Sequence, residues 1–147
     1  RPDWHCFASD ISLEAINIAR ENRERLSARV HFYQGSWGES VKPGSLDIMV
    51  SNPPYIADQD HHLAALHYEP DLALTSGTDG MDAIQTIVTQ AADLLKPGGI
   101  LLFEHGFDQG KKSRALLQQN NFVRIETRQD LAHQDRVTLG YRPNAKE

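Results

Sequence analysis

The chain has 147 residues, 39% hydrophobic and 24% charged, with a formal net charge of -5 and one cysteine. That suits one domain with a real core, and neither fraction points to disorder. The acidic balance gives no electrostatic footprint for duplex nucleic acid, the lone Cys6 excludes an internal disulfide, and no apolar run reaches the roughly 20 residues of a membrane helix, so a reducing, cytoplasmic setting with no membrane or direct nucleic-acid partner is the expectation.

His5-Cys6-Phe7-Ala8-Ser9 is short, apolar and ends at Asp10, which reads as a buried strand with Cys6 as a small core residue. Ser12 is placed to cap a helix, Glu14 lies in its first turn, and Leu13, Ile16 and Ala19 recur at helical spacing. The mixed charges from Arg20 to Arg25 read as its solvated face. Val30 to Gln34 is a second strand, and Lys42-Pro43-Gly44-Ser45 is a turn. Leu46 to Ser51 is nearly continuous in apolar residues, as expected of a strand covered on both faces. Residues 52 to 79 lack periodicity, so a functional loop or lid is expected there, with Gly77 and Gly80 permitting sharp turns.

Met81, Ile84, Ile87, Val88, Ala91, Leu94 and Leu95 mark an amphipathic helix that Pro97-Gly98-Gly99 stops. Ile100 to Phe103 is a fourth strand, running into Glu104-His105-Gly106. Residues 109 to 120 form a further helix with Ala115, Leu116 and Leu117 expected inward. Phe122 to Thr127 and Arg136 to Tyr141 leave no room for a helix between them and should pair antiparallel. The alternation describes an α/β fold, an open, mostly parallel sheet with an antiparallel final strand. Ligands in such sheets bind beyond the carboxyl ends of the strands. The residues to weigh are therefore Asp10, Gly35 to Trp37, Asn52 to Tyr55 and Glu104 to Gly106.

Asp10 ends a strand before a helix, where a carboxylate accepts hydrogen bonds from a ribose diol or caps the helix. Trp37 suits stacking on an adenine ring, or plugging a loop. Asn52-Pro53-Pro54-Tyr55 is the sharpest signal. Two prolines fix the backbone and remove two N–H donors, leaving carbonyls as the exposed polar groups. Asn52 adds a side-chain acceptor and Tyr55 a flat aromatic face. Such a set suits a planar NH2 group with a delocalised lone pair, an amide or an exocyclic base amine. Two acceptors that hold its hydrogens out of plane free the lone pair for attack on a methyl sulfonium, by positioning and electrostatics alone. His61, His62 and His67 show no metal-ligand pattern. Glu104 and His105 are neighbours on a strand and should point to opposite faces, which argues against an acid–base pair. Asp135-Arg136 reads as a turn followed by a salt-bridged strand start.

Asn52-Pro53-Pro54-Tyr55 after an apolar strand resembles the motif of class I (Rossmann-like) S-adenosylmethionine-dependent amino-methyltransferases. Tyr68-Glu69-Pro70, Leu72-Ala73-Leu74, Gly77, Asp79-Gly80-Met81-Asp82, Glu104-His105-Gly106 with Gln109-Gly110, and Asp135-Arg136-Val137-Thr138-Leu139-Gly140 narrow the likeness. Together they resemble the peptide chain release factor N(5)-glutamine methyltransferases over nearly the whole chain. The resemblance implies S-adenosyl-L-methionine as donor and the glutamine of the release factors' Gly-Gly-Gln motif as acceptor. It implies Asp10 on the ribose, Trp37 along the adenine, Asn52 serving both cofactor and amide, the Pro53 carbonyl on the amide, and Pro54 and Tyr55 completing the catalytic and substrate-binding loop. A monomer is expected. Amino-methylation of adenine or guanine, the ribosomal-protein glutamine enzymes and a non-catalytic binding module are the alternatives. Ser36 stands where the family often has aspartate. The chain starts at Arg1, and the family's glycine-rich cofactor loop, first strand and amino-terminal helical domain are not in the sequence. A truncated catalytic domain over residues 1–147, weak in cofactor binding and inactive alone, is therefore expected.

Overall fold

In the computed structural model, which describes residues 3–60 and 71–144, the chain divides into two units, Arg1–Val41 and Lys42–Glu147. The first unit comprises β1 (Cys6–Asp10), α1 (Leu13–Arg25) and β2 (Val30–Gln34). The strands pair in parallel from Cys6↔Val30 to Asp10↔Gln34, as a helical crossover between them requires. Ser12 starts α1 as expected: its backbone is extended and its hydroxyl accepts the Ala15 N–H at 3.2 Å. Glu14 in the first turn and Arg23 and Arg25 in the last match the helix dipole. The inward stripe is narrower than the spacing suggests. Ile16 is buried and Ala19 half-buried, but Leu13 is exposed. Cys6 is half-buried rather than a core residue and Phe7 is 61% exposed, so β1 is not the buried strand its apolar run suggests.

The second unit comprises β3 (Leu46–Ser51), α2 (Asp71–Leu74), α3 (Asp82–Leu94), β4 (Leu95–Glu104), α4 (Gly110–Gln119), β5 (Val123–Gln129) and β6 (Asp135–Tyr141). Its sheet has the order β3-β4-β6-β5. β3 and β4 are parallel, and β6 is antiparallel to both β4 and β5. Hence β3, β4 and β5 share one direction and β6 alone opposes them, the arrangement expected from the short β5–β6 connection. The core lies where α3 packs on the sheet. Ala83, Ile84, Ile87, Val88, Ala91 and Leu94 are buried, at the spacing of one helical face. Leu95, Leu101 and Phe103 of the central strand are also buried, and a fully buried side chain of this kind contributes about 2 kcal/mol.

Three expectations need correction. β4 begins at Leu95, directly after α3, rather than at Ile100. Its partner register jumps from Leu46↔Leu95 to Ile48↔Ile100, so Lys96-Pro97-Gly98-Gly99 forms an irregularity inside the strand rather than a loop before it. β3 is not covered on both faces. It is the end strand of its sheet, and Ile48 and Val50 are 41% and 73% exposed. The inward face of α4 is Gly110, Ser113 and Leu117; Ala115 is exposed and Leu116 half-buried. Consecutive helical residues turn about 100° apart, so Ala115, Leu116 and Leu117 cannot share a face.

Candidate active site

In the first unit, β1 and β2 end together, with Asp10 opposite Gln34. Asp10 Oδ1 accepts the Ser12 N–H at 2.8 Å. That bond braces Ser12, which is itself the cap of α1, and engages one oxygen of an exposed carboxylate. The Gly35 N–H donates to the Asp10 carbonyl at 3.1 Å, and Gln34 Nε2 donates to the Ile11 carbonyl at 2.9 Å. Ser9 Oγ donates to the Trp37 carbonyl at 2.9 Å. Trp37 is half-buried and has a left-handed φ of 49°, a conformation that costs a non-glycine residue about 1 kcal/mol. The Ser9 hydroxyl ties that turn to the end of β1.

In the second unit, Ser51 of β3 pairs with Phe103 of β4, so both chains leave the sheet at the same edge, Asn52 beside Glu104. Pro53 is buried, Pro54 and Tyr55 are half-buried, and Asn52 is exposed. The Asn52 side chain makes no hydrogen bond among the described residues, which leaves its amide free for a ligand. The Tyr55 hydroxyl donates to Glu104 Oε1 at 3.3 Å, long for an O–H···O bond. Burial first, then the Glu104 charge, raises the Tyr55 pKa, with Arg136 opposing. The phenol therefore stays neutral and remains the donor.

The chain beyond Tyr55 is laced to residues 74–77. The Ile56 N–H donates to the Leu74 carbonyl at 3.0 Å, the Ser76 N–H to the Ile56 carbonyl at 2.9 Å, and the Asp58 N–H to the Gly77 carbonyl at 3.0 Å. Ser76 also caps α3, its hydroxyl accepting the Ala83 N–H at 2.7 Å. Asp79 bonds Lys112 Nζ at 2.9 Å, which holds its carboxyl below the usual range. Residues 74–80 thus line the exit of the Asn52–Tyr55 loop. Tyr68, Glu69, Pro70, His61, His62 and His67 lie outside the described residues.

Glu104 and His105 do point apart. His105 is fully buried, with Nδ1 2.7 Å from the Gly106 carbonyl and Nε2 2.7 Å from Thr138 Oγ1. A carbonyl only accepts, so Nδ1 carries the proton and Nε2 accepts from Thr138. Thr127 Oγ1 lies 2.9 Å from Thr138 Oγ1 and accepts from Arg114 Nη1 at 2.7 Å, which orients the whole chain of bonds. Burial foremost lowers the His105 pKa. His105 is a neutral structural group, as the strand alternation implies. Arg136 pairs with Asp130 at 3.4 Å and Asp135 with Arg114 at 3.6 Å, in line with the expected salt-bridged strand start.

One residue of the loop's surroundings escaped the residue-by-residue reading. Gln109 is buried, and its Nε2 donates to the Tyr55 carbonyl at 2.9 Å and the Asp79 carbonyl at 3.2 Å. Its Oε1 accepts the Gly106 N–H at 2.9 Å. The available signal was a glutamine at a helix start, where a capping residue is usual; such a residue has another task.

A family model described as a methyltransferase small domain matches residues 1–68. The chain is 49% identical, over 144 residues, to a Neisseria gonorrhoeae protein named release factor glutamine methyltransferase, covering 95% of this chain and 53% of that protein. It is 43% identical to a protein of the same name from Xylella fastidiosa, covering 97% of this chain and 53% of that one. The chain therefore spans about half the length of the curated relatives it matches. Among solved structures, the SAM-dependent O-methyltransferase of Thermotoga maritima superposes with a TM-score of 0.69 at 15% identity, covering 97% of this chain and 51% of that one. The fold is that of S-adenosylmethionine-dependent methyltransferases, α/β with a mostly parallel sheet and one opposed strand.

Proposed function

We propose that this chain is the catalytic-domain portion of a release factor glutamine methyltransferase, which transfers a methyl group to the side-chain amide nitrogen of the glutamine in the Gly-Gly-Gln motif. The observation that carries the reading is the Asn52–Tyr55 loop at the carboxyl edge of β3, with the Asn52 amide exposed and uncommitted beside a fixed Tyr55. The 49% identity to the Neisseria protein supports the choice of a release factor over other acceptors.

The residues present fit S-adenosyl-L-methionine by the chemistry of their donor set. Asp10 offers an exposed carboxylate to ribose hydroxyls, and Trp37 an indole to adenine. When bound, the cofactor supplies the electrophilic methyl group. The chain's own residues prepare the acceptor. Asn52 Oδ1 and the Pro53 carbonyl each accept one N–H of the glutamine amide. Held so, the nitrogen would lose its conjugation with the carbonyl and present its lone pair to the methyl group; the N–C bond would form as the donor's S–C bond broke, the sulfur keeping that electron pair, and the surplus amide proton would pass to water. Pro53 and Pro54 have no N–H to compete for either acceptor. Tyr55 packs against the amide, and its hydroxyl is engaged by Glu104. The expected substrates are a release factor and the cofactor, with no nucleic acid and no membrane.

The test is transfer of a labelled methyl group by the intact protein to purified release factor, RNA and DNA, with the modified residue located by mass spectrometry. Label on the release factor glutamine is expected, and Asn52→Ala should reduce kcat by about 10²-fold or more, the scale of losing one preorganised polar contact to the reacting group. Label on RNA or DNA instead, or near-native transfer by Asn52→Ala, would refute the reading.

A further inference from the structure

We propose that Gln109 is the positioning residue of the amide-holding loop, acting through the Tyr55 carbonyl. This rests on the reading that Asn52–Tyr55 holds the reacting amide. The loop has an unusual weakness. With prolines at 53 and 54, it has no N–H of its own there with which neighbouring backbone can hold it. It must be fixed from its far end.

Three contacts do this, from three directions. Glu104 takes the Tyr55 hydroxyl, the 74–77 segment takes Ile56, and Gln109 takes the Tyr55 carbonyl. The last two act on one peptide, the Tyr55–Ile56 unit, with Leu74 taking its N–H and Gln109 its carbonyl. The Gln109 amide is fully used: its two N–H bonds go to the Tyr55 and Asp79 carbonyls and its oxygen accepts from Gly106. The reverse orientation would set an oxygen against two carbonyls and an N–H against an N–H, so the flip is decided by the partners. The side chain is only 6% exposed, so water cannot readily replace these bonds.

Gln109 thus joins three segments: the loop after β3, the turn before α3, and the Glu104-His105-Gly106 end of β4. Through Gly106 it also meets the bonds of His105, whose Nδ1 donates to the same residue's carbonyl. Gly80 completes the joint. A Cβ there would overlap the Tyr55 carbonyl oxygen and stand 2.7 Å from Gln109 Nε2. Only glycine lets the carbonyl and the amide come together at that point.

A positioning role predicts a loss in kcat rather than in cofactor affinity, because displacement of a reacting group by about 1 Å costs on the order of 10²-fold. The intact protein is assayed for kcat and for KM toward both substrates, with Gln109→Ala and Gln109→Glu. Both variants should lose roughly 10²-fold in kcat at about pH 8, with KM for S-adenosylmethionine within about twofold. Burial among carbonyls raises a glutamic acid pKa strongly. Gln109→Glu should therefore recover as pH falls toward about 6, when its carboxyl regains one proton to donate to Tyr55. Gln109→Ala should not recover. Circular dichroism at each pH separates this from unfolding, and if Gln109→Ala fails to fold, the Gln109→Glu profile still decides. A kcat within about threefold of wild type for a folded Gln109→Ala, or a Gln109→Glu to wild-type ratio that does not change with pH, would overturn the proposal. If the wild type labels RNA rather than release factor, the acceptor reading fails, while the effect of Gln109 on kcat toward that acceptor is still read.

Discussion

Gly80→Ala should destabilise the second unit much more than Gly44→Ala, although both glycines have the same backbone hand. Their φ angles are 72° and 62°. For either, an added side chain in the left-handed region costs about 1 kcal/mol. The surroundings then separate them. At Gly44 nothing lies within 4 Å of the new Cβ, so the backbone cost is the whole effect. At Gly80 the Cβ meets the Tyr55 carbonyl oxygen and lies 2.7 Å from Gln109 Nε2. The carbonyl must move, and its buried bond from Gln109 is lost, which adds about 1–2 kcal/mol. The total for Gly80→Ala is about 2–3 kcal/mol, against about 1 for Gly44→Ala. For a chain of this size each kcal/mol lowers Tm by about 2–4 °C. Urea and thermal unfolding of the two variants beside wild type measure the difference. Equal losses, or a Gly80→Ala cost under about 1 kcal/mol, would show that the joint at Tyr55 is looser than the reasoning requires.

Ser113→Ala should raise stability. Ser113 is fully buried on the inward face of α4 and its Oγ has no hydrogen-bond partner among the described residues, so alanine removes an unpaired hydroxyl and gains helix propensity, together about 1 kcal/mol by urea unfolding. A loss of stability would mean the hydroxyl has a bound water or other partner. His105 should make stability fall in acid. Its folded pKa is lowered, chiefly by burial, so the unfolded chain takes up the proton first. The contribution is complete above the ordinary imidazole value of about 6.5 and is lost as pH drops below it, by at most about 1.4 kcal/mol per pH unit. Urea unfolding between about pH 7 and 5 should show a shallower slope for His105→Gln than for wild type; identical slopes would refute the assignment.

Much of this fold was legible because its signals are local. Val30–Gln34 and Leu46–Ser51 are strands at the bounds read from their apolar runs. Ser12 caps α1 because the hydroxyl needs only the N–H three residues on. Five of the six buried positions of α3, all but Ala83, are those read from its period. The misreadings have equally definite causes. An apolar run does not show whether a strand ends a sheet, so Ile48 and Val50 were expected to be covered. Pro97-Gly98-Gly99 was read as a break because the cross-strand partners that accommodate it lie far off in sequence; Gly98 donates to Arg142 and Gly99 accepts from Arg142.

The Asn52-Pro53-Pro54-Tyr55 motif divides the same way. By itself the sequence determined the character of the loop: acceptors without competing donors, placed after a strand, which is a property of prolines and of chain order. Only the tertiary structure decided what holds that loop still. Glu104 is 49 residues from Tyr55 and Gln109 is 54 residues away, and no local rule relates such positions. They meet because β3 and β4 run parallel and leave the sheet at one edge, and because Gly80 leaves the room a side chain would fill.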